Sequence, residues 1–147
     1  MKMTSFPSGL AALIIATALM AGLASGCSKT SGAAEQAATA ASQKWLAEID
    51  NGQYGQSWQD ASDFFQSKVS QQTWISELTT VRKPLGGLES RNLQFAQYTT
   101  QMPGVPEGQY VVMRFGTSFA NKKDAIETVT FMQEKDGQWK AAGYFIK

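Results

Sequence analysis

The sequence predicts an α+β fold in which three N-terminal helices pack on one face of a four-stranded antiparallel meander. Apolar residues recur at helical spacing between residues 37 and 81, and they alternate with polar residues in four runs after residue 90. Pro84, Gly86 and Gly87 separate the two regions, and both residue types end helices. Short connections join the four runs, which favours pairing between successive antiparallel strands.

The helices are predicted from apolar stripes and from the residues that bound them. The first helix ends at Asp50-Asn51-Gly52, a typical stop signal. The second covers residues 54–65, and Ser70 is a good N-cap for the third. The stripes of the three helices are, in order, Ala37, Ala41, Trp45, Leu46 and Ile49; Tyr54, Trp58, Ala61, Phe64 and Phe65; and Trp74, Ile75, Leu78 and Val81.

The four strands are predicted at residues 91–99, 109–119, 124–133 and 138–146. The last two are separated by Lys135-Asp136-Gly137, and Asp-Gly favours the positive φ angles of a tight hairpin turn. The helices must then bury their aromatic stripes against one side of the sheet.

Composition excludes several classes of protein. Hydrophobic residues make up 43 % of the 147 residues and charged residues 17 %, so the chain is not disordered. A formal charge of +1 gives no reason to expect a nucleic-acid partner. With no histidine and one cysteine, the chain cannot by itself build a disulfide, a zinc cluster or a histidine-activated nucleophile. We therefore expect no metal or other cofactor.

Residues 1–26 are predicted to form a lipoprotein signal peptide. Lys2 precedes an apolar stretch at residues 10–24, which has the length of a secretory signal and is short for a membrane span. Leu23-Ala24-Ser25-Gly26-Cys27 resembles the bacterial lipobox, although leucine is commoner than Ala24 at its position. The resemblance implies that Cys27 becomes the first mature residue and carries acyl chains such as palmitate, whose buried methylenes anchor the protein to a membrane.

The mature chain divides at residue 36. Residues 27–36 comprise the lipidated cysteine and a small, polar stretch that we expect to be a flexible tether, and residues 37–147 form a single domain. Ser28 stands where an inner-membrane retention signal would usually be aspartate. By that rule the protein is expected in the bacterial cell envelope, on the outer membrane and facing the periplasm.

Arg91 and Glu127 are candidate site residues because each shares strand parity with apolar neighbours. Arg91 is in phase with Leu93 and Phe95, and Glu127 with Val129 and Phe131. A buried charge needs a partner, so we expect an ion pair between them, with Arg82 and Arg114 as other possible donors. The favoured interpretation is a structural pair; the alternatives are a ligand anchor in the mouth of a pocket and a catalytic carboxylate.

Tyr54 and Trp58 are candidate pocket residues, because aromatic rings give large contact areas with little rotamer entropy. The competing interpretation is that the four tryptophans form the core, which their helical spacing favours. The acidic residues near them, Asp50 among them, lack the loop pattern of a calcium site, and we expect them on a solvated helix face.

The sequence resembles the bacterial family known as domain of unknown function 4019. The matching features run from about Ala37 to the C-terminus, and those of the tail are the most specific. The resemblance implies a helices-then-meander plan similar to the cone-shaped folds of the nuclear-transport-factor-2-like class, and it implies no activity. The residues that carry it are Trp45-Leu46, Tyr54, Ser57-Trp58, Trp74, Arg82-Lys83-Pro84-Leu85-Gly86, Arg91, Pro103-Gly104, Phe119-Ala120-Asn121-Lys122, Glu127, Asp136-Gly137, Trp139 and Gly143-Tyr144-Phe145-Ile146.

These observations predict a lipid-anchored, periplasm-facing accessory domain that contacts another envelope protein through a sheet edge or loops. The alternative is a binder of a small apolar or aromatic ligand in a pocket between helices and sheet. We do not expect an enzyme, because acid–base chemistry near neutral pH would then depend on a strongly perturbed Glu, Asp or Lys.

Overall fold

The computed structural model describes residues 25–147, with side chains from residue 30 onward. Helices precede a four-stranded sheet, as the sequence predicts, and the α+β fold class is confirmed. The elements are α1 (Ser25–Asp50), α2 (Tyr54–Gln59), α3 (Asp63–Lys68), α4 (Gln71–Val81), a 3-10 helix (Lys83–Leu85), β1 (Leu88–Thr99), β2 (Tyr110–Phe119), β3 (Lys122–Gln133) and β4 (Trp139–Ile146).

The sheet is an open antiparallel meander in the order β1-β2-β3-β4, so β1 and β4 are its edges. From Val111 onward on β2, and along β3, the buried side chains alternate with exposed or half-buried ones, because the helices cover one face only. The β3–β4 turn contains Gly137 with a φ of 83°, a conformation that favours glycine.

The region predicted as one second helix contains two short ones. Residues 60–62 interrupt it, and Ser62 caps α3 by accepting a hydrogen bond from the Phe65 N–H at 3.1 Å. The backbone N–H of Ser62 donates to Ala141 O on β4 at 2.9 Å, which fixes the break against the sheet. Ser70 caps α4 through the Thr73 N–H, as predicted.

The prediction of a flexible tether at residues 27–36 is wrong, since these residues belong to α1. Alanine at positions 33 and 34 favours the helix, and tertiary contacts hold it in place. Glu35 accepts a hydrogen bond from the Tyr98 N–H on β1 at 3.0 Å, and Ala34 packs against the core. A stretch that is polar in composition is thereby fixed along the sheet.

The N-terminal predictions fall largely beyond the part of the chain that the structure describes. The signal peptide lies outside it except for the last two residues, 25 and 26, and the side chain of Cys27 is also outside it. Among the described residues, no helix combines the length and apolar character needed to cross a membrane.

Aromatic side chains form the centre of the core between the helices and the sheet. Trp45 and Trp74 stack at 6.0 Å between ring centroids, and Tyr144 of β4 meets both edge-on. Ser57 joins the two indoles, since its carbonyl accepts from Trp45 Nε1 at 2.7 Å and its hydroxyl from Trp74 Nε1 at 3.0 Å. The buried indole N–H groups are therefore satisfied within the helical layer.

A bulge in β1 changes the predicted alternation of that strand. Leu93 pairs with Phe115, but Phe95 pairs with Arg114, so Gln94 is an extra residue. Phe95 therefore lies on the outer face of the sheet, out of phase with Arg91, and is 40 % exposed. The predicted shared parity of Arg91 and Phe95 is wrong for this reason.

Candidate functional site

The candidate site is a buried cluster of six side chains at one end of the domain. Asp50 ends α1 and Arg82 caps the C-terminus of α4. Each strand supplies one further member; these are Arg91 of β1, Thr117 of β2, Glu127 of β3 and Tyr144 of β4. Neighbouring register places Thr117 beside Arg91, and residues 115 and 146 on either side of Glu127.

Glu127 is fully buried, and both of its carboxylate oxygens are saturated. Oε2 accepts from Arg91 Nε and Thr117 Oγ1, each at 2.6 Å. Oε1 accepts from the Tyr144 hydroxyl at 2.6 Å and from Arg91 Nη2 at 3.2 Å. A buried carboxylate is tolerated when paired and hydrogen-bonded in this way, and it has no free oxygen for a ligand.

Arg91 bridges two carboxylates. Besides Glu127, it contacts Asp50 bidentately, with Nη1 2.7 Å from Oδ2 and Nη2 2.9 Å from Oδ1. Burial alone would lower the pKa of Arg91, but the hydrogen bonds that it donates to Asp50 and Glu127 outweigh burial and raise that pKa. The guanidinium therefore remains charged under all physiological conditions.

Arg82 completes the cluster and makes it neutral, with two cations and two anions. Its Nη2 lies 3.0 Å from Asp50 Oδ1, and its Nη1 donates to Gly86 O at 2.7 Å. The guanidinium carbon sits 4.2 Å from the ring centroid of Phe119, a cation–π distance. Its Nε is buried without a hydrogen-bond partner in the described structure.

Tyr144 acts only as a donor in this arrangement. Burial and then the negative charge of Glu127 raise the pKa of its hydroxyl, so the hydroxyl remains protonated. The cluster thus holds two opposed charge pairs and no unoccupied acid, base or nucleophile. The cluster connects the ends of α1 and α4 with all four strands of the sheet.

The other two candidate residues lie elsewhere. Tyr54 and Trp58 belong to α2, are half-buried, and pack against the core. The indole N–H of Trp58 donates to Val69 O at 2.7 Å, and Gln66 Nε2 contacts Trp58 O at 3.1 Å. Both contacts connect α2 with the following helix and its end, and neither directs the ring toward Arg91 or Glu127.

Sequence reasoning missed three members of the cluster: Asp50, Thr117 and Tyr144. Asp50 was expected on a solvated helix face, yet its side chain is only 13 % exposed. Arg82 was considered as a donor to Glu127 and instead binds Asp50. Arg114, the other suggested donor, points to the outer face, where it lies 5.4 Å from the ring of Phe95. The alternation along β2 and β4 could have indicated that Thr117 and residue 144 face the core. It could not have identified Glu127 as their hydrogen-bond partner.

A separate groove of about 460 Å³ lies between α1 and the β3–β4 hairpin. Trp45, Phe131 and Trp139 contribute aromatic surface, and the charged lining consists of Lys44, Glu48, Asp60 and Lys140. Glu48 Oε2 is buried without a hydrogen-bond partner in the described structure. Burial, followed by the hydrogen bond and charge of Asp60, raises the pKa of Glu48 from 4.5 to about 7.

Comparison with protein families identifies the chain. The model of the family described as protein of unknown function (DUF4019) matches residues 41–144. The chain is a DUF4019 protein. The match begins inside α1 and ends at Tyr144, so it includes every member of the buried cluster. No curated protein matches this DUF4019 chain.

Proposed function

We propose that this DUF4019 protein is a lipid-anchored accessory domain of the bacterial envelope that faces the periplasm, binds a protein partner and catalyses no reaction. The observation that carries the proposal is the composition of the uncovered sheet face. Phe95, Arg114, Thr128 and Phe145 form one row across all four strands on that face. Phe145 is 61 % exposed, and aromatic residues and arginine are the types enriched in protein interfaces.

The buried cluster supports a non-catalytic role. A general base needs a free acceptor within reach of substrate, and every oxygen of Glu127 already accepts two hydrogen bonds. Releasing one of them would leave a buried donor or charge unpaired, which is strongly unfavourable. The cluster is therefore suited to holding the fold, which in turn presents the outer face.

The anchor is supported by the lipobox-like sequence that ends at Cys27. In the described structure α1 includes residue 27, so the segment between the lipid and the domain is helical. At ~1.5 Å per residue, ten helical residues span about 15 Å, which keeps the domain close to the headgroups in a restricted range of orientations. A partner in the same membrane would then meet the sheet at a high effective concentration.

The groove between α1 and the β3–β4 hairpin supports a second candidate function, the binding of a small molecule. Its volume suits a small ligand, and Trp139 offers an aromatic wall. Lys44 and Lys140 line the groove together with Glu48 and Asp60, so its charges balance and the aromatic wall favours a small apolar or aromatic ligand. Native mass spectrometry of the protein extracted from its own cells would detect such a ligand as an added mass lost in Trp139→Ala.

The main proposal is tested in cells that express the full-length protein. Metabolic labelling with a palmitate analogue should label the wild type and not Cys27→Ser, and only the wild type should sediment with outer membranes. A photo-crosslinking amino acid in place of Phe95 should join the protein to a partner, whereas the same group in place of Gln56, on the exposed helical side, should not. An unlabelled wild type would refute the anchor, and equal crosslinking from both positions would refute a specific interaction face.

A further inference from the structure

The edge strand β4 has backbone groups that point away from the sheet. Ile126 and Lys147 exchange two backbone hydrogen bonds, at 2.9 and 3.1 Å, so they form a hydrogen-bonded pair. Because such pairs alternate along an antiparallel ladder, Phe145 also directs its N–H and C=O toward β3. Tyr144 and Ile146 direct theirs outward, where no strand of the described chain pairs with them.

Two outward backbone groups elsewhere on the sheet edges are covered by the protein's own groups. The Ser62 N–H donates a hydrogen bond to Ala141 O on β4, and the Glu35 carboxylate accepts one from the Tyr98 N–H on β1. Proteins protect edge strands in such ways because a free edge pairs with other chains. The edge at Tyr144 and Ile146 is left open by comparison.

An apolar groove of about 160 Å³ lies beside this open edge, between α4 and β4. Leu78 and Val81 of α4 form one wall, and residues 144–146 of β4 form the other. Val81 is 47 % exposed, so the groove includes apolar surface in contact with water. Its size suits one or two apolar side chains.

Charge specifies the occupant further. Glu77 is the one charged residue of the described chain that lines the groove. It is exposed, and its carboxylate forms no ion pair within the described residues. A complementary ligand would therefore place a cation beside the apolar side chain that enters the groove.

We propose that residues 144–146 accept an extended segment of a partner protein by strand addition, with an apolar side chain in the groove and a neighbouring Lys or Arg at Glu77. The inference rests on the proposed accessory function and names the partner's recognition element. Main-chain hydrogen bonds to Tyr144 and Ile146 would supply affinity, and the groove and Glu77 would supply specificity.

A second copy of the chain fits this edge less well. If β4 paired with β4 of another copy, the Tyr144 side chain of each would remain packed against its own Trp45 and Trp74. Neither groove would then be filled, because the side chains on that face of the added strand already lie within their own domain. A different polypeptide has free side chains for this purpose.

The first test uses the full-length lipoprotein in its own envelope, with a photo-crosslinking amino acid in place of Val81. Mass spectrometry of the crosslinked peptides should locate the crosslink in a segment of another protein, and that segment should contain an apolar residue beside Lys or Arg. A synthetic peptide of that sequence should then slow amide hydrogen exchange at Tyr144 and Ile146. A mapped helical or acidic segment, a crosslinked homodimer, or unchanged exchange at both amides would each overturn the proposal.

Variants of α4 test the groove and the charge separately, with the same peptide. Val81→Glu should weaken binding more than ~10-fold, whereas Ser76→Glu, which adds the same charge on the exposed side of α4, should leave it unchanged. Glu77→Lys should weaken binding by roughly two- to fivefold, as expected for a partly exposed charge pair. Equal loss in Val81→Glu and Ser76→Glu would contradict docking in the groove.

The two proposals fail in different ways. Crosslinking from Phe95 to a partner without crosslinking from Val81 would leave the accessory function standing and refute strand addition at β4. An absence of lipid on Cys27, with a mapped partner segment at Val81, would refute the anchor alone.

Discussion

Arg91 of β1 lies between Asp50 and Glu127. Its Nε is 2.6 Å from Oε2 of Glu127, and its Nη1 is 2.7 Å from Oδ2 of Asp50. These acids come from the end of α1 and the middle of β3, so a single guanidinium joins the helical layer to the sheet. The arrangement neutralises a charge that is fully buried at Glu127. Its principal consequence is for stability, and that consequence can be measured.

Glu127→Gln should lower the free energy of unfolding by about 3 kcal/mol, because breaking a buried pair leaves Arg91 partly uncompensated. The new amide N–H₂ would also face the donors Thr117 and Tyr144. For a domain of this size the melting temperature should fall by roughly 10–15 °C. Glu89→Gln, which removes an exposed pair with Lys123, is the matched control and should leave the thermal melt unchanged. An unaltered melting curve for Glu127→Gln would contradict the structural role.

Glu48→Gln should change how stability depends on pH. The pKa of Glu48 is raised to about 7 in the folded protein, so the folded state binds a proton more tightly than the unfolded state. Stability from this group is fully present below pH 4.5 and is lost as the pH rises through about 7. Relative to Glu48→Gln, the wild type should therefore lose stability between pH 5 and 8. Its melting temperature should fall progressively relative to that of the variant as the pH rises. Parallel curves over this range would show that neither burial nor Asp60 raises the pKa of Glu48 in the folded protein.

Local sequence patterns predict the elements well and their distant contacts poorly. The change from helical spacing to alternation at Pro84 marks the boundary between the helices and the sheet, and the Ser70 cap and Asp136-Gly137 turn are local signals that the structure confirms. Asp50 is different, because its partner Arg91 is 41 positions away in sequence. An acid at a helix end is equally suited to solvent, so only the folded chain reveals the pair.

Two errors of the sequence-based predictions have a similar physical origin. The bulge at Gln94 adds one residue to β1 without altering its composition, and every residue after it changes face, including Phe95. The segment at residues 27–36 is small and polar, as in a tether. Its helix is nevertheless held by a hydrogen bond that Glu35 accepts from the Tyr98 N–H, 63 positions later in the chain. Neither the bulge nor the hydrogen bond is indicated by the residues next to it in the sequence.

The two serine caps should differ in their contribution to stability. Ser62 is buried, and Ser62→Ala would leave the Phe65 N–H without a partner away from water, at an expected cost of about 1–2 kcal/mol. Ser70 is exposed, so water can replace its hydroxyl in Ser70→Ala and the loss should be near ~0.5 kcal/mol. Chemical denaturation of both variants would measure the difference, and equal losses would argue against a role for burial.

Glu35→Ala should release the N-terminal half of α1 from the sheet. The Tyr98 N–H would lose a charged acceptor at 3.0 Å, a bond of the kind that contributes about 1.5–3 kcal/mol. Amide exchange at Tyr98 should accelerate by ~10-fold or more, measured by NMR. Glu35→Gln keeps a carbonyl oxygen at the same position and should accelerate exchange less. If both variants exchanged at the wild-type rate, the contact with β1 would not be what holds residues 30–36 in the helix, and a flexible connection to Cys27 would again be the better description.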